Sequence, residues 1–172
     1  MSELINREIA KKWLSFPGQV RGVALINHQD FVVKNVGEEG LEKLETFLSQ
    51  IGCPVSHKGL NSFRFYPVGL EVVELLAIKQ LFKFDDEQFE SIGIFGSKFS
   101  LVMKTFLKYF GSLRILSEQV PKIWRKYYTI GDLRVADLDE RTRRIVLTLD
   151  NFYLHPLHCR HLKGYLSNVV KM

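Results

Sequence analysis

Two alternating segments near the end of the chain constrain its fold more than any other feature. Apolar residues alternate with polar ones from Asp132 to Val135, and every second residue from Ile145 to Leu149 is a leucine or isoleucine. This period-two pattern is typical of strands that are buried on one face. Residues 139–142 between them contain no apolar side chain, as is usual for a solvated hairpin loop. Because a lone hairpin is not stable unless one face is covered, we expect apolar helices to pack on it.

The first segment of the chain, residues 1–18, predicts an amphipathic helix over 3–16. Pro17-Gly18 is expected to end it. Such a helix either packs on its own domain or pairs with a second copy, and both interpretations are open. The apolar stripe consists of Ile5, Ile9, Trp13 and Phe16.

Helical patterns fill much of the chain before the hairpin. Residues 20–36 and 40–50 carry apolar residues at helical spacing, whereas 55–67 has little regular pattern and is interpreted as a connection. Residues 68–82 are apolar nearly all round, which predicts a central, buried helix.

The region between this helix and the hairpin is marked by glycine and proline. Gly93 and Gly96 are expected near a helix junction. A further helical stripe at 113–127 contains Pro121, so the helix should kink or restart there.

An aromatic and methionine-containing stripe begins at residue 99. Its members recur at helical spacing and could either line a cavity or fill one, and packing in a core is the more common use. Together with the turn at 124–127, it gives the candidate ligand-pocket residues Phe99, Val102, Met103, Phe106, Phe110, Trp124 and Tyr127.

These patterns predict an α+β fold: a mostly helical N-terminal part packed on a small antiparallel sheet, closed by a C-terminal helix. A chain of 172 residues is long enough for one such domain, placed here at 19–172 after the N-terminal helix.

Composition narrows the class of protein. No apolar run approaches the roughly 20 residues that span a bilayer, and the start of the chain lacks the apolar centre of a secretion signal. Two cysteines do not make a disulfide scaffold, so we expect a cytoplasmic protein. The net charge is +5, but the basic residues are dispersed and no nucleic-acid-binding motif accompanies them, so we do not expect nucleic acid as a partner.

One segment concentrates side chains that can bind metal. Sulfur and imidazole together suit zinc, and Cys53 and His57 could add ligands from a loop. The spacing matches no standard zinc motif, so we expect surface and cap residues rather than a metal site. The metal-capable residues of this segment are His155, His158, Cys159 and His161.

Phosphate loops, nucleophile elbows and paired-carboxylate motifs are missing from the sequence, and we expect no enzyme.

The stretch RGVALINHQDFVVKNVGEE, and FGSKFSLVMKTF followed by a helix, two strands and a helix containing Gly164, resemble one superfamily. It comprises the ligand-binding domains of heme-nitric-oxide/oxygen-binding sensors, 4-vinyl reductase domains and TRAPP Golgi-transport subunits. The resemblance covers residues 20–170 and implies a ligand-binding fold.

The heme motifs of those sensors are not matched. Their axial histidine falls where this chain has Ile123-Trp124-Arg125, and their tyrosine-x-serine-x-arginine motif corresponds to 152–156, which has neither serine nor arginine. Without these residues, the iron bond and the charge pairing with the propionates are lost. No heme is therefore expected in the usual geometry, although another histidine could ligate it.

The 4-vinyl reductase relatives continue with further strands after the last helix. We therefore expect a minimal or truncated module whose sheet edge is covered by a partner or by another copy.

The function predicted from these observations is a non-enzymatic sensor or regulatory domain with a hydrophobic pocket for a small apolar ligand, whose binding shifts a partner-facing helix. The alternative is a protein–protein interaction or dimerisation module, such as a homodimer, with a filled core. A zinc- or heme-binding sensor is the third interpretation.

Overall fold

The computed structural model describes residues 4–98, 113–142 and 144–169. Within these ranges the chain forms seven α-helices and two antiparallel strand pairs, which confirms the predicted α+β class with a closing helix. The helices are α1 (Arg7–Leu14), α2 (Gly22–Val36), α3 (Glu38–Gln50), α4 (Val68–Phe82), α5 (Asp86–Lys98), α6 (Leu113–Tyr127) and α7 (Pro156–Val169). The strands are β1 (Gln19–Arg21), β2 (Phe65–Pro67), β3 (Asp132–Asp139) and β4 (Arg144–Asp150).

The β3–β4 hairpin forms as predicted. Leu133 pairs with Leu149 and Val135 with Leu147, and a bulge between Val135 and Asp137 shifts the register beyond them. A bulge bends and twists the bulged strand. Leu133 is buried, so one face of the hairpin is covered by the rest of the domain.

The β1–β2 pair is absent from the sequence prediction. The predicted helix at 20–36 includes Val20 and Arg21, and the predicted connection at 55–67 includes Phe65–Pro67. Both predictions are wrong at these residues, because Gln19–Arg21 and Phe65–Pro67 pair antiparallel. Strands of three residues are too short to show alternation. Helix α2 begins only at Gly22, where an added Cβ would lie 2.3 Å from the carbonyl oxygen of Asn61.

Helix α1 is shorter than predicted. It begins at Arg7 because Asn6 caps it, with the Asn6 side chain accepting a hydrogen bond from the Ile9 amide at 3.0 Å. Ile5 and Ala10 are buried in the main core. An added Cβ at Gly69 of α4 would lie 1.7 Å from the Trp13 carbonyl oxygen, so the two backbones touch. The first helix therefore packs on its own domain.

Helix α4 is central, as its composition predicts. All its residues from Val68 to Ile78 are buried. It contributes to both hydrophobic cores. The larger core is formed mainly by α1 to α5, and the smaller one includes residues of α6, α7 and the β3–β4 hairpin.

Helices α5 and α7 cross at glycines. An added Cβ at Gly93 would lie 2.0 Å from the His161 carbonyl oxygen, and one at Gly164 would lie 1.9 Å from that of Glu90. Both Gly93 and Gly96 lie inside α5, which ends at Lys98, two residues after Gly96. The junction expected near them stays a prediction, because residues 99–112 lie outside the described ranges. Glycine is needed at this crossing because no side chain fits between the helices.

Helix α6 runs through Pro121 as one element, so it does not restart there. The kink, which was the other predicted outcome, stays a prediction. Pro121 is exposed, and water can therefore reach the turn that lacks its amide hydrogen bond. In the part of the chain that the structure describes, no helix is both long enough and apolar enough to cross a membrane.

Candidate functional site

The central helix α4 carries two glutamates into the protein interior. Glu71 and Glu74 are 0% and 1% exposed, and residues at i and i+3 lie on one face of a helix. An ionised carboxylate is very costly to bury without partners. The partners come from α2, from α7 and from the residue that follows α6.

Glu71 is held by His158 and Tyr128. His158 Nε2 lies 2.8 Å from Glu71 Oε2, and the Tyr128 hydroxyl donates to the two carboxylate oxygens at 3.0 and 3.2 Å. Burial alone would raise the pKa of Glu71, but the charge and hydrogen bond of His158, with the charge of His28, lower it to about 2. Burial and the Glu71 charge raise the pKa of Tyr128 well above its ordinary value, so its hydroxyl remains a donor.

Glu74 is held by two consecutive residues of α2. His28 Nδ1 lies 2.8 Å from Glu74 Oε2, and Gln29 Nε2 donates to Oε1 at 2.7 Å. Burial raises the pKa of Glu74, although both hydrogen bonds act in the opposite direction. The His28–Glu74 contact fixes the orientation of the His28 ring.

His161 completes this buried cluster. Its ring meets that of His28 edge to face, with 4.7 Å between the centroids. Burial, with the neighbouring charge of His28, lowers the pKa of His161 well below the usual range, so the ring is neutral at physiological pH. A neutral imidazole has one nitrogen with a free lone pair.

Three ring nitrogens in the cluster lack hydrogen-bond partners among the described residues: His28 Nε2, His158 Nδ1 and His161 Nδ1. Of these, His28 Nε2 and His161 Nδ1 lie 3.8 and 3.9 Å from Glu71 Oε1, too far for hydrogen bonds. The donor atoms of His28, Glu71 and His161 all lie within 4.8 Å of one another, so these three residues could hold a metal ion.

An apolar cavity of about 90 Å³ lies beside the cluster. Its walls come from α2, α5, α6, α7 and both strands of the β3–β4 hairpin. His161 and Tyr128 belong both to this lining and to the cluster, so the cavity adjoins the buried polar groups. Its apolar walls include Val23, Val120, Ile123, Leu133, Leu147 and Leu162.

Two of the residues predicted to form a ligand pocket, Trp124 and Tyr127, line this cavity. Trp124 Nε1 donates to the carbonyls of Ile130 and Gly131 at 2.8 and 3.1 Å, and its ring stacks on Tyr128 at 4.3 Å. A role in ligand binding stays a prediction for both. The other predicted pocket residues lie outside the described residues: Phe99, Val102, Met103, Phe106 and Phe110.

The metal-capable residues of α7 divide between its two faces. His158 and His161 are buried in the cluster, so the expectation of surface or cap positions is wrong for both. The α5–α7 crossing turns them inward. Cys159 is exposed on the other side, and His155 Nδ1 accepts a hydrogen bond from the Leu157 amide at 3.2 Å, as a cap residue does.

The two residues considered as extra ligands lie elsewhere. Cys53 is part of the main hydrophobic core. His57 Nε2 lies 2.7 Å from the carboxylate of Asp30. The close group of donors among the described residues includes neither.

Sequence reasoning missed most of the cluster, including both glutamates. A usable signal was present, because Glu71 and Glu74 are acids within a helix that is otherwise apolar nearly all round. No such local signal marks the two α2 residues. The members that were missed are His28, Gln29, Glu71, Glu74 and Tyr128.

Comparisons with family models, with curated proteins and with solved structures gave no match to this chain.

Proposed function

We propose that this protein is a non-enzymatic ligand-binding domain that takes a small apolar ligand into the cavity between α2, α6, α7 and the β3–β4 hairpin. The observation that carries the proposal is the cavity itself, which is lined mainly by apolar side chains. Its volume of about 90 Å³ is smaller than a cavity of roughly 150 Å³ that binds benzene or xenon. The ligand is therefore at most about the size of a small ring.

Helix α6 is the element whose position the ligand is proposed to change. Val120, Ile123 and Trp124 of α6 line the cavity, whereas Lys122 and Lys126 on its other side are exposed. A ligand that contacts the inner face favours one position of this helix, provided that it binds that position more tightly. A partner protein with an acidic surface would detect the change.

We also propose that this chain belongs to the superfamily that its sequence resembles. The order of its helices and strands supports this proposal. Apolar helices precede the β3–β4 hairpin, and a helix that contains Gly164 follows it. The cavity volume favours a small ligand, because larger ligands occupy pockets of roughly 300–1,000 Å³.

An interaction module with a filled core is the alternative. Two observations favour the ligand-binding proposal over it: the space beside the hairpin is a cavity, and Ile5 and Ala10 of the first segment are buried within the same chain. Light scattering over a range of concentrations tests the dimerisation form of the alternative, because the ligand-binding proposal does not require self-association.

Titration with xenon, which is smaller than benzene, followed by methyl NMR, tests the proposal. We expect saturable shifts at a stoichiometry of one in the methyl groups of Val120, Leu147 and Leu162. The variant Leu147→Phe fills the cavity and should abolish them. Val146→Phe is the matched control, because Val146 is the next residue of β4 and is 39% exposed. The absence of saturable shifts in the wild-type protein, or equal shifts in both variants, would contradict the proposal.

A further inference from the structure

We propose that His28, Glu71 and His161 bind a divalent transition-metal ion at the inner end of the cavity. The site unites α2, α4 and α7, and none of its ligands needs the apolar ligand to be present. This inference therefore stands or fails independently of the proposed function.

The geometry of the three donor atoms suits one ion. His28 Nε2 and His161 Nδ1 lie 3.8 and 3.9 Å from Glu71 Oε1. Metal–ligand bonds of about 2.0–2.2 Å in a tetrahedral site place neighbouring donors about 3.4 Å apart. Each of these two donor pairs would therefore close by about 0.5 Å on binding an ion, and the two histidine nitrogens, which lie within 4.8 Å of each other, would also move closer.

Two of the three unpartnered ring nitrogens of the cluster give the second observation. His28 and His161 are 0% and 4% exposed, and among the described residues neither His28 Nε2 nor His161 Nδ1 has a hydrogen-bond partner. Buried polar atoms are normally paired, because an unpaired one costs about 1–3 kcal/mol. An ion that binds the deprotonated rings gives both nitrogens a partner.

The surroundings of the ligands resemble those of established metal sites in general. His28 Nδ1 faces Glu74 at 2.8 Å, and Gln29 in turn donates to Glu74. A carboxylate on the far nitrogen of a ligating histidine fixes its tautomer and directs the other lone pair at the metal. Glu71 is similarly held by Tyr128 and His158.

Charge supports the same assignment. Glu71 and Glu74 are both buried, and a divalent cation would offset the charge of a buried carboxylate. Two imidazoles and one carboxylate are a ligand set found for zinc and for non-heme iron(II), and both leave positions open. Because His161 also lines the cavity, the ion lies close to any small molecule bound there.

Titration of the full, chelator-treated chain with Co²⁺ and Zn²⁺ tests the site. We expect one ion per chain, visible Co²⁺ absorption bands, and displacement of Co²⁺ by Zn²⁺. His161→Gln and Glu71→Gln should each weaken binding by more than about 100-fold, and Glu74→Gln by about 10–100-fold. His57→Gln and Cys159→Ser, which change residues outside the site, should leave affinity unchanged.

A measurement on the unaltered chain covers variants that fail to fold. Zn²⁺ should shift the side-chain ¹⁵N resonances of His28 Nε2 and His161 Nδ1 and leave those of His57 in place. Absence of stoichiometric binding, binding that persists in both His161→Gln and Glu71→Gln, or shifts confined to other histidines would each overturn the proposal.

Discussion

His158 Nε2 lies 2.8 Å from Glu71 Oε2, and neither side chain is accessible to solvent. This contact joins the last helix to the central one through a buried charge. It lies beside the cavity, because Tyr128, which also donates to Glu71, forms part of the cavity wall.

Glu71→Ala should destabilise the protein strongly. Removing one partner from a buried charged pair typically costs about 3–5 kcal/mol, because the other partner is left unpaired in the core. The free energy of unfolding, measured with urea, checks this. Glu87→Ala, at an exposed position of α5, is the control and should change stability by less than about 0.5 kcal/mol. A loss below about 1 kcal/mol for Glu71→Ala would show that the cluster is not buried as described.

Gly164→Ala should also destabilise the fold, although alanine is normally the better helix former by about 1 kcal/mol. The added Cβ would lie 1.9 Å from the Glu90 carbonyl oxygen, and overpacking of this kind typically costs about 1–3 kcal/mol. Thermal unfolding measures the effect. Gly59→Ala, in an exposed turn, should be close to neutral, and a stabilised Gly164→Ala protein would contradict the α5–α7 crossing.

The two cysteines should differ in reactivity. Cys159 is exposed, whereas Cys53 is buried and burial raises the pKa of its thiol. Because the thiolate is the reactive form, iodoacetamide should modify Cys159 quickly and Cys53 slowly at pH 8. Raising the pH should increase the rate at Cys53, as its thiolate fraction grows. Peptide mass spectrometry of a time course gives both rates, and equal rates would contradict the orientation of α7.

Trp124→Phe should loosen the start of the β3–β4 hairpin. It removes the hydrogen bonds to the carbonyls of Ile130 and Gly131, and leaving a buried acceptor unpaired costs about 1–3 kcal/mol. Hydrogen exchange of the amides of β3 should become faster. Tyr153→Phe, at a residue that is 79% exposed, should leave exchange unchanged, and unaltered rates in Trp124→Phe would contradict the proposed anchoring.

Local sequence patterns were sufficient for the long elements of this fold. The predicted central helix at 68–82 has the bounds that the structure gives α4, and alternation located the β3–β4 hairpin. These signals succeed because burial on one face imposes a period on many successive residues. The three-residue strands β1 and β2 carry no such period, and tertiary pairing alone defines them.

The candidate site was harder to predict because its members are distant in sequence. His28 and Glu74 are separated by 46 positions, and only the packing of α2 against α4 brings them together. The inward direction of His158 and His161 depends on the glycine crossing of α5 and α7. A histidine-rich helix start gives no information on which of its faces is buried.

Crystals pressurised with xenon provide the most direct test of the proposed ligand site. We predict an anomalous xenon peak within the cavity bounded by Trp124, Leu147 and Leu162, and loss of that peak in Leu147→Phe crystals. A cavity without xenon, with peaks only at other positions, would contradict the account.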